Sequence, residues 1–250
     1  RLFSVLYHRT LNVGRVQTPT LAMLAERDAK ITLFHKEKYH LLRLTLDGTE
    51  AVSEKFTDSA AAEQAAAMCK GATVTCTSVT KEQKKEQPPK LYDLTTLQRE
   101  ANRLFGYTAK QTLDYAQSLY EKKLLTYPRT DSRHLTSDMV ETASCVIHLA
   151  AKLPPFDGCT NFFPLVEVMI SDKDVSDHHA IIPTMEVEKA DIKALPLGER
   201  NLFLLVCCKL LCASAEPYVY EAVTATFDCG GQSFTAKGKR ILSEGWREID

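Results

Sequence analysis

The segment Leu124-Leu-Thr-Tyr-Pro-Arg-Thr-Asp-Ser-Arg133 sets one phenol among a dense run of hydrogen-bond donors and charges. Tyr127 follows an apolar pair and meets Pro128, which breaks a helix and fixes the backbone. Arg129, Thr130, Asp131, Ser132 and Arg133 come directly after. Such donor density beside a loop tyrosine suits a phosphate, each charge-assisted hydrogen bond contributing about 1.5–3 kcal/mol. A phenol has a pKa near 10, so roughly one molecule in a thousand is ionised at neutral pH. A nucleophilic tyrosine therefore needs a base or cationic neighbours, and donors for the charge that develops on the group attacked. Arg129 meets the second need, because a guanidinium grips phosphate oxygens in a fork. From spacing alone the plainer account is a surface turn whose tyrosine packs and whose arginine is solvated.

Two further clusters carry polar chemistry. Ser176-Asp-His-His-Ala-Ile-Ile-Pro-Thr184 holds adjacent histidines before an apolar dipeptide. Neighbouring side chains on a strand point to opposite faces, which weakens a metal-ligand reading of His178 and His179 and favours hydrogen-bonded histidines. In Asn12-Val-Gly-Arg-Val-Gln-Thr-Pro-Thr20, Gly14 permits a close backbone approach. Arg15 and Gln17 stand just ahead of a helix start, a place that attracts anions. Taken alone, this pattern is commonplace.

The elements that must position these residues follow from periodicity and caps. Thr18-Pro19 predicts a helix start for the first stretch, 1–32, with a hydroxyl cap and proline at the first helical position. Alternation predicts strands over 39–46 and 73–79, flanking an alanine-rich helix over 59–68. The polar run 81–90, ending in Pro88 and Pro89, predicts a linker. Beyond it Leu94, Leu97, Ala101, Leu104 and Phe105 share a helical face that Gly106 terminates. Thr108 with Gln111 forms a capping box for the next helix, whose apolar face is Leu113, Ala116, Leu119 and Tyr120. A third helix is predicted over 137–149, which gives a helix-turn-helix-like group. An apolar helix over 199–214 precedes a hairpin, 220–227 and 231–236, joined by Asp228-Cys-Gly-Gly. The chain thus reads as α+β: it leaves a β-rich domain, makes a helical excursion and returns.

Composition excludes more than it selects. The 250 residues suffice for one large or two small domains with a real core. Nothing reads as a membrane span or a signal peptide, so no membrane contact and a cytoplasmic location are expected. The absence of an initiator Met points to a piece of something longer. A formal net charge of −1 offers no global basic field, so nucleic-acid contact must come from local clusters. The 8 cysteines include no C-x-x-C pair, so reduced, buried thiols are expected rather than a zinc site or disulfide framework.

Together, Gly14-Arg-Val-Gln-Thr-Pro-Thr-Leu21, Leu97-Gln-Arg-Glu-Ala101, Ala116-Gln-Ser-Leu-Tyr-Glu121, Thr126-Tyr-Pro-Arg-Thr-Asp-Ser132 and His178-His-Ala-Ile-Ile-Pro-Thr184 stand in the order and spacing of type IA DNA topoisomerases. The resemblance runs from about residue 2 to Trp246. Lys122-Lys-Leu-Leu-Thr-Tyr-Pro-Arg129 is more similar to the topoisomerase III branch than to bacterial topoisomerase I, which tends to have Gly before the apolar pair. The resemblance implies that Tyr127 is the nucleophile, forming a 5′-phosphotyrosine link and freeing a 3′-hydroxyl. It implies that Arg129 orients the tyrosine and steadies the scissile phosphate, and that His178 hydrogen-bonds near that phosphate. Arg15 and Gln17 would line a groove for single-stranded DNA; Asp131, Ser132 and Arg133 would lie in the same active-site loop. Asn12 stands where many relatives have Ser.

The implied fold is a β-rich arch, 36–90 with 190–250, into which a helical, winged-helix-like domain, 91–189, is inserted with the catalytic tyrosine. Residues 1–35 would be part of a DNA-groove domain, and the 81–90 linker a hinge. The family's metal-binding TOPRIM domain would precede Arg1, and this chain has no D-x-D motif. Mg²⁺ is therefore expected in the full-length enzyme and no metal here. The chain alone is expected not to relax supercoiled DNA, and a monomer is expected. Rival readings are a non-catalytic winged-helix DNA-binding module, a tyrosine recombinase, and a β-rich interaction scaffold. The helix after Thr108 carries Asp114 and Glu121 with few cations, which disfavours the first. A recombinase needs its histidine upstream of a C-terminal tyrosine, whereas His178 follows Tyr127.

Overall fold

The computed structural model describes residues 2–10, 14–158 and 164–249; Asn12 and Cys159 lie outside them. The chain is α+β, and its strands form a five-stranded sheet in the order β1-β2-β5-β4-β3. They are β1 (Arg43–Leu46), β2 (Thr49–Ser53), β3 (Val74–Glu86), β4 (Tyr218–Cys229) and β5 (Gln232–Ser243). The main helices are α1 (Leu2–Leu6), α2 (Gln17–Thr32), α3 (Ser59–Cys69), α4 (Leu94–Phe105), α5 (Ala109–Glu121), α6 (Val140–Ala150) and α7 (Leu197–Ala213). Two compact units result, 1–77 with 226–236, and 78–225 with 237–250.

In the first unit β1 pairs antiparallel with β2, and β2 with β5 through Val52–Thr235 and Ser53–Phe234. Ala51, Cys229, Phe234 and Ala236 form its small core. The turn between β4 and β5 uses Gly230 at φ 59°, where an added Cβ would stand 2.4 Å from the Met68 carbonyl oxygen. Only glycine allows that approach to the end of α3. Helix α2 begins at Gln17, so Thr18 and Pro19 occupy its first turn rather than its boundary. The Thr18 hydroxyl accepts from the Gly14 N–H at 3.0 Å instead of capping the helix. None of the residues of α2 is buried. The strand expected from Tyr39 starts only at Arg43, preceded by an isolated bridge between His40 and Phe56.

The second unit holds the larger core. Leu97 and Ala101 of α4, Ala116 and Leu119 of α5, Val146 and Ile147 of α6, and Leu202, Phe203, Val206 and Leu210 of α7 pack together. The caps follow the sequence closely. Thr108 and Gln111 exchange hydrogen bonds at the start of α5, and Gly106 closes α4 at φ 71°. A second capping box, between Asp93 and Thr96, opens α4. Of the apolar face expected for α5, Ala116 and Leu119 are buried, but Tyr120 is 39 % exposed.

Three expectations need correction. The polar run 81–90 is not a linker from its start, because β3 continues to Glu86. Its prolines come only at 88 and 89, and an edge strand tolerates exposed charge, which also discourages unwanted pairing. Lys81 pairs with Glu221, and Lys84 with Glu82, on that surface. Next, the division at 190 does not follow the packing: α7 completes the helical core with its apolar face and belongs with α4 to α6. Finally, the cysteines are not uniformly buried. Cys207, Cys212 and Cys229 are inside, Cys69 and Cys208 partly so, while Cys76 and Cys145 are exposed.

Candidate active site

The nucleophile candidate is launched from the end of α5 by a tightly specified turn. Lys122 ends the helix, and Lys123 takes a left-handed φ of 61°. The Lys123 N–H donates to the Tyr120 carbonyl at 2.8 Å, and the Leu124 N–H to the Leu119 carbonyl at 2.8 Å. This is a Schellman turn, and Leu119 and Leu124 are both buried in the helical core. Two side chains brace the turn from elsewhere in the unit. The Thr184 hydroxyl donates to the Lys123 carbonyl. Glu199 of α7, 8 % exposed, accepts from Ser118 at 2.9 Å and forms an ion pair with Lys122.

From Leu124 the chain runs extended alongside 180–184. Leu125 bridges to Pro183, the Thr126 N–H donates to the Ile182 carbonyl at 3.0 Å, and the Ile182 N–H donates to the Thr126 hydroxyl at 3.0 Å. Tyr92 bridges to Ile181 in turn. Nearly all of this pairing is buried: Leu124, Leu125, Ile181 and Ile182 are each at most 5 % exposed. A rigid, apolar base thus carries the polar residues at its end, which is how a site is held in one geometry.

At that end Tyr127 is half-buried and its ring lies 4.5 Å from the His178 imidazole, centroid to centroid. A second aromatic contact comes from Tyr120, at 5.5 Å and nearly perpendicular. The loop that bears Arg129 is tied to His178 through Thr130, whose hydroxyl donates to the His178 carbonyl at 2.9 Å. The Leu94 N–H at the start of α4 donates to the Thr130 carbonyl at 3.1 Å. Asp93, Leu94, Thr95, Arg129, Thr130, Asp131, Ser176, Asp177 and His178 enclose an open cavity of about 460 Å³. Tyr127 does not line this cavity itself; it reaches it through His178. The two adjacent histidines are not equivalent. His179 donates from Nδ1 to the Ala180 carbonyl at 2.8 Å, whereas the His178 ring faces Tyr127.

The remaining residues singled out in the sequence separate into different environments. Asp131 is exposed and borders the cavity. Ser132, 4 % exposed, donates to the Asp174 carbonyl at 3.0 Å and accepts from the His134 N–H at 3.2 Å, so its hydroxyl braces the loop. Arg133 turns back to the chain entering α4, donating from Nε to the Leu91 carbonyl at 3.0 Å. Arg15 and Gln17 are exposed at the start of α2, in the first unit. Beside the loop, burial and the neighbouring Lys90 lower the His134 pKa, while Asp174, 3.9 Å away, opposes the shift. The Ser171 hydroxyl, donating at 2.7 Å, lowers the Asp174 pKa.

Sequence reasoning missed Tyr120, which it placed on a buried helix face, and Thr130, which it counted only as a donor. It also missed Glu199, whose partner Lys122 lies far away in sequence. No local pattern reports a contact of that kind.

The Tyr127 phenol is held against the His178 imidazole, and the Arg129 guanidinium stands on the wall of the cavity that His178 lines, a set of groups suited to a phosphodiester. The whole chain, residues 1–250, matches the family described as DNA topoisomerase, and the chain belongs to that family, in its type IA class. Among its relatives, it is 38 % identical to the DNA topoisomerase 3 of Bacillus licheniformis, over 100 % of this chain and 36 % of the relative. It is 36 % identical to the DNA topoisomerase 3 of Bacillus subtilis, with the same coverage. Its fold is similar to full-length topoisomerase I from Thermotoga maritima, with a TM-score of 0.74 and 25 % identity, over 96 % of this chain and 40 % of that one. The chain thus spans about a third of the length of the curated relatives it matches.

Proposed function

We propose that this chain is the strand-breaking part of a topoisomerase III-like enzyme that acts on single-stranded DNA. In this reading the Tyr127 phenolic oxygen attacks a backbone phosphorus and the 3′ oxygen leaves as a hydroxyl. A 5′-phosphotyrosine link holds the broken end while another strand passes. The 3′-hydroxyl then displaces the tyrosine, and the phosphodiester is restored. Because the link conserves the energy of the bond, relaxation of negative supercoils or decatenation proceeds without ATP. The β-rich arch and the helical gate implied by the resemblance would supply the motion, with Arg15 and Gln17 contacting the strand.

The observation that carries this reading is the packing of Tyr127 on His178, with Arg129 on the wall of the cavity that His178 also lines. Arg129 offers forked donors to the phosphate in the transition state, where preorganised charge counts most. The His178 imidazole, on the wall of the same cavity, would hydrogen-bond near that phosphate.

The described residues do not fit a Mg²⁺ ion. Among them no group of three His, Cys, Asp or Glu side chains is arranged to hold a metal. Asp93, the acid nearest the helix start, is spent on Thr96, accepting from its N–H at 2.6 Å and from its hydroxyl at 2.7 Å. A Mg²⁺ requirement would belong to other parts of the full-length protein, and these 250 residues alone should not relax supercoiled DNA.

The deciding experiment replaces Tyr127 by Phe in the full-length protein and traps covalent complexes with a single-stranded oligonucleotide. The adduct should disappear while DNA affinity stays within about twofold, since the ring remains and only one hydroxyl is lost. An adduct that persists in Tyr127→Phe would remove Tyr127 from this role.

A further inference from the structure

Tyr120 is the residue whose position the proposed chemistry leaves unexplained. It is large and aromatic, yet it does not enter the helical core: it is 39 % exposed at the last turn of α5. Its ring stands 5.5 Å from that of Tyr127, with the planes at 76°. Its backbone is equally fixed, because the Tyr120 carbonyl accepts from the Lys123 N–H at 2.8 Å within the turn that leads to Tyr127. Among the described residues its hydroxyl makes no hydrogen bond, so the ring alone makes the contact.

A half-buried tyrosine at the end of an extended segment has staggered alternatives open to it. The one present sets its ring against His178, which lines a cavity with Arg129. The His178 ring restricts this choice, but it rides on an exposed loop residue of the segment 176–178. Tyr120 rides on a helix, and that helix is clamped to α7 through the Ser118–Glu199–Lys122 group. The more rigid of the two contacts is therefore the Tyr120 ring.

We propose that Tyr120 is a positioning residue for the nucleophile: its ring, set perpendicular to that of Tyr127, holds the phenolic oxygen in the attacking rotamer. The inference rests on Tyr127 being the nucleophile. Tyr120 itself touches no reacting atom in this account and acts only through Tyr127.

Single-turnover adduct formation on a single-stranded oligonucleotide tests it in the full-length protein, with DNA affinity measured separately by fluorescence anisotropy. Tyr120→Leu keeps apolar bulk and removes the ring. It should slow adduct formation about 10- to 100-fold, the range expected for a misplaced reacting group, at unchanged DNA affinity. Tyr120→Phe restores the ring without the hydroxyl and should react at the wild-type rate. Wild-type rates in Tyr120→Leu overturn the proposal, and so does an equal loss in both variants, which would assign the effect to the hydroxyl. An effect on affinity alone also overturns it, because Tyr120 would then be a DNA contact. Should Tyr120→Leu lose its thermal transition, Tyr120→Met serves in its place under the same criteria. Tyr127→Phe run alongside separates the two claims: an adduct surviving there defeats the nucleophile assignment, whatever Tyr120 does.

Discussion

Chemistry at the residue scale depends on which groups are satisfied by the protein and which remain free for a ligand. Around Tyr127 the division is sharp. Ser132 and Arg133 spend their donors on backbone carbonyls, while Arg129, Asp131 and His178 stay exposed along the cavity. His134 follows Arg133 in the same loop, and its lowered pKa has a consequence for stability. A histidine whose folded pKa is depressed takes up its proton more readily when unfolded. Its contribution is therefore intact above the ordinary value of 6.5 and is lost as pH falls below it, until the folded group also protonates. Replacing His134 by Gln should flatten the fall in melting temperature between roughly pH 6.5 and pH 5, the interval just below the ordinary histidine pKa. Thermal melts across that range check it; an unchanged slope would place the acid sensitivity elsewhere. At this scale the sequence singled out Tyr127, Arg129 and His178, and the structure sets the first against the third and the second on the cavity that the third lines. What could not be read was the environment: nothing in Thr-Asp-Ser-Arg says that the last two side chains turn inward.

Elements were easiest to read where a cap fixed them. Thr108–Gln111 and Gly106 state the ends of α5 and α4 in local chemistry, and the structure keeps both. The turn after α5 is harder, because its left-handed position is filled by Lys123 rather than the usual glycine. A residue with a Cβ pays roughly 1–2 kcal/mol to sit there. The Lys123 ammonium has no partner among the described residues to offset that cost, so the turn must be held by the Thr184 and Glu199 braces and by the burial of Leu119 and Leu124. Lys123→Gly should then stabilise the protein. The relief of strain exceeds the entropy that glycine adds to the unfolded chain, leaving a net gain of about 0.5–1 kcal/mol. Chemical denaturation of the two proteins measures it. A loss of stability of similar size would mean that the lysine side chain makes a contact worth more than the strain. The reverse case is β3, where charge and the coming prolines masked a strand, because local composition does not tell an edge strand from a linker.

Across the whole molecule the two units differ in what they bury. The helical unit gathers apolar side chains from α4, α5, α6 and α7 into one core, which also takes in Leu124, Leu125, Ile181 and Ile182 below the candidate site. The alternating pattern that reappears near the C-terminus marks strands, and part of that hairpin, 226–236, packs with residues 1–77. The unit boundaries were not legible, since α7 joins its core through contacts with residues that precede it by many tens of positions. In the first unit α2 presents Leu21, Leu24 and Ile31 more than 60 % exposed and buries nothing among the described residues. A helix of this length is marginal in water by itself, because most helical stability in proteins comes from packing an apolar face. Local opening therefore costs α2 little, whereas α7 can open only with the core that surrounds it. Hydrogen exchange on these 250 residues should show amides of Gln17–Thr32 exchanging at least ~100-fold faster than those of Leu202–Leu211, a gap of only a few kcal/mol in opening free energy. In the full-length protein the same amides should slow markedly if other segments cover that apolar face. Protection of α2 equal to that of α7 in the isolated chain would contradict this, and would mean that the helix is held by contacts its exposed side chains do not show.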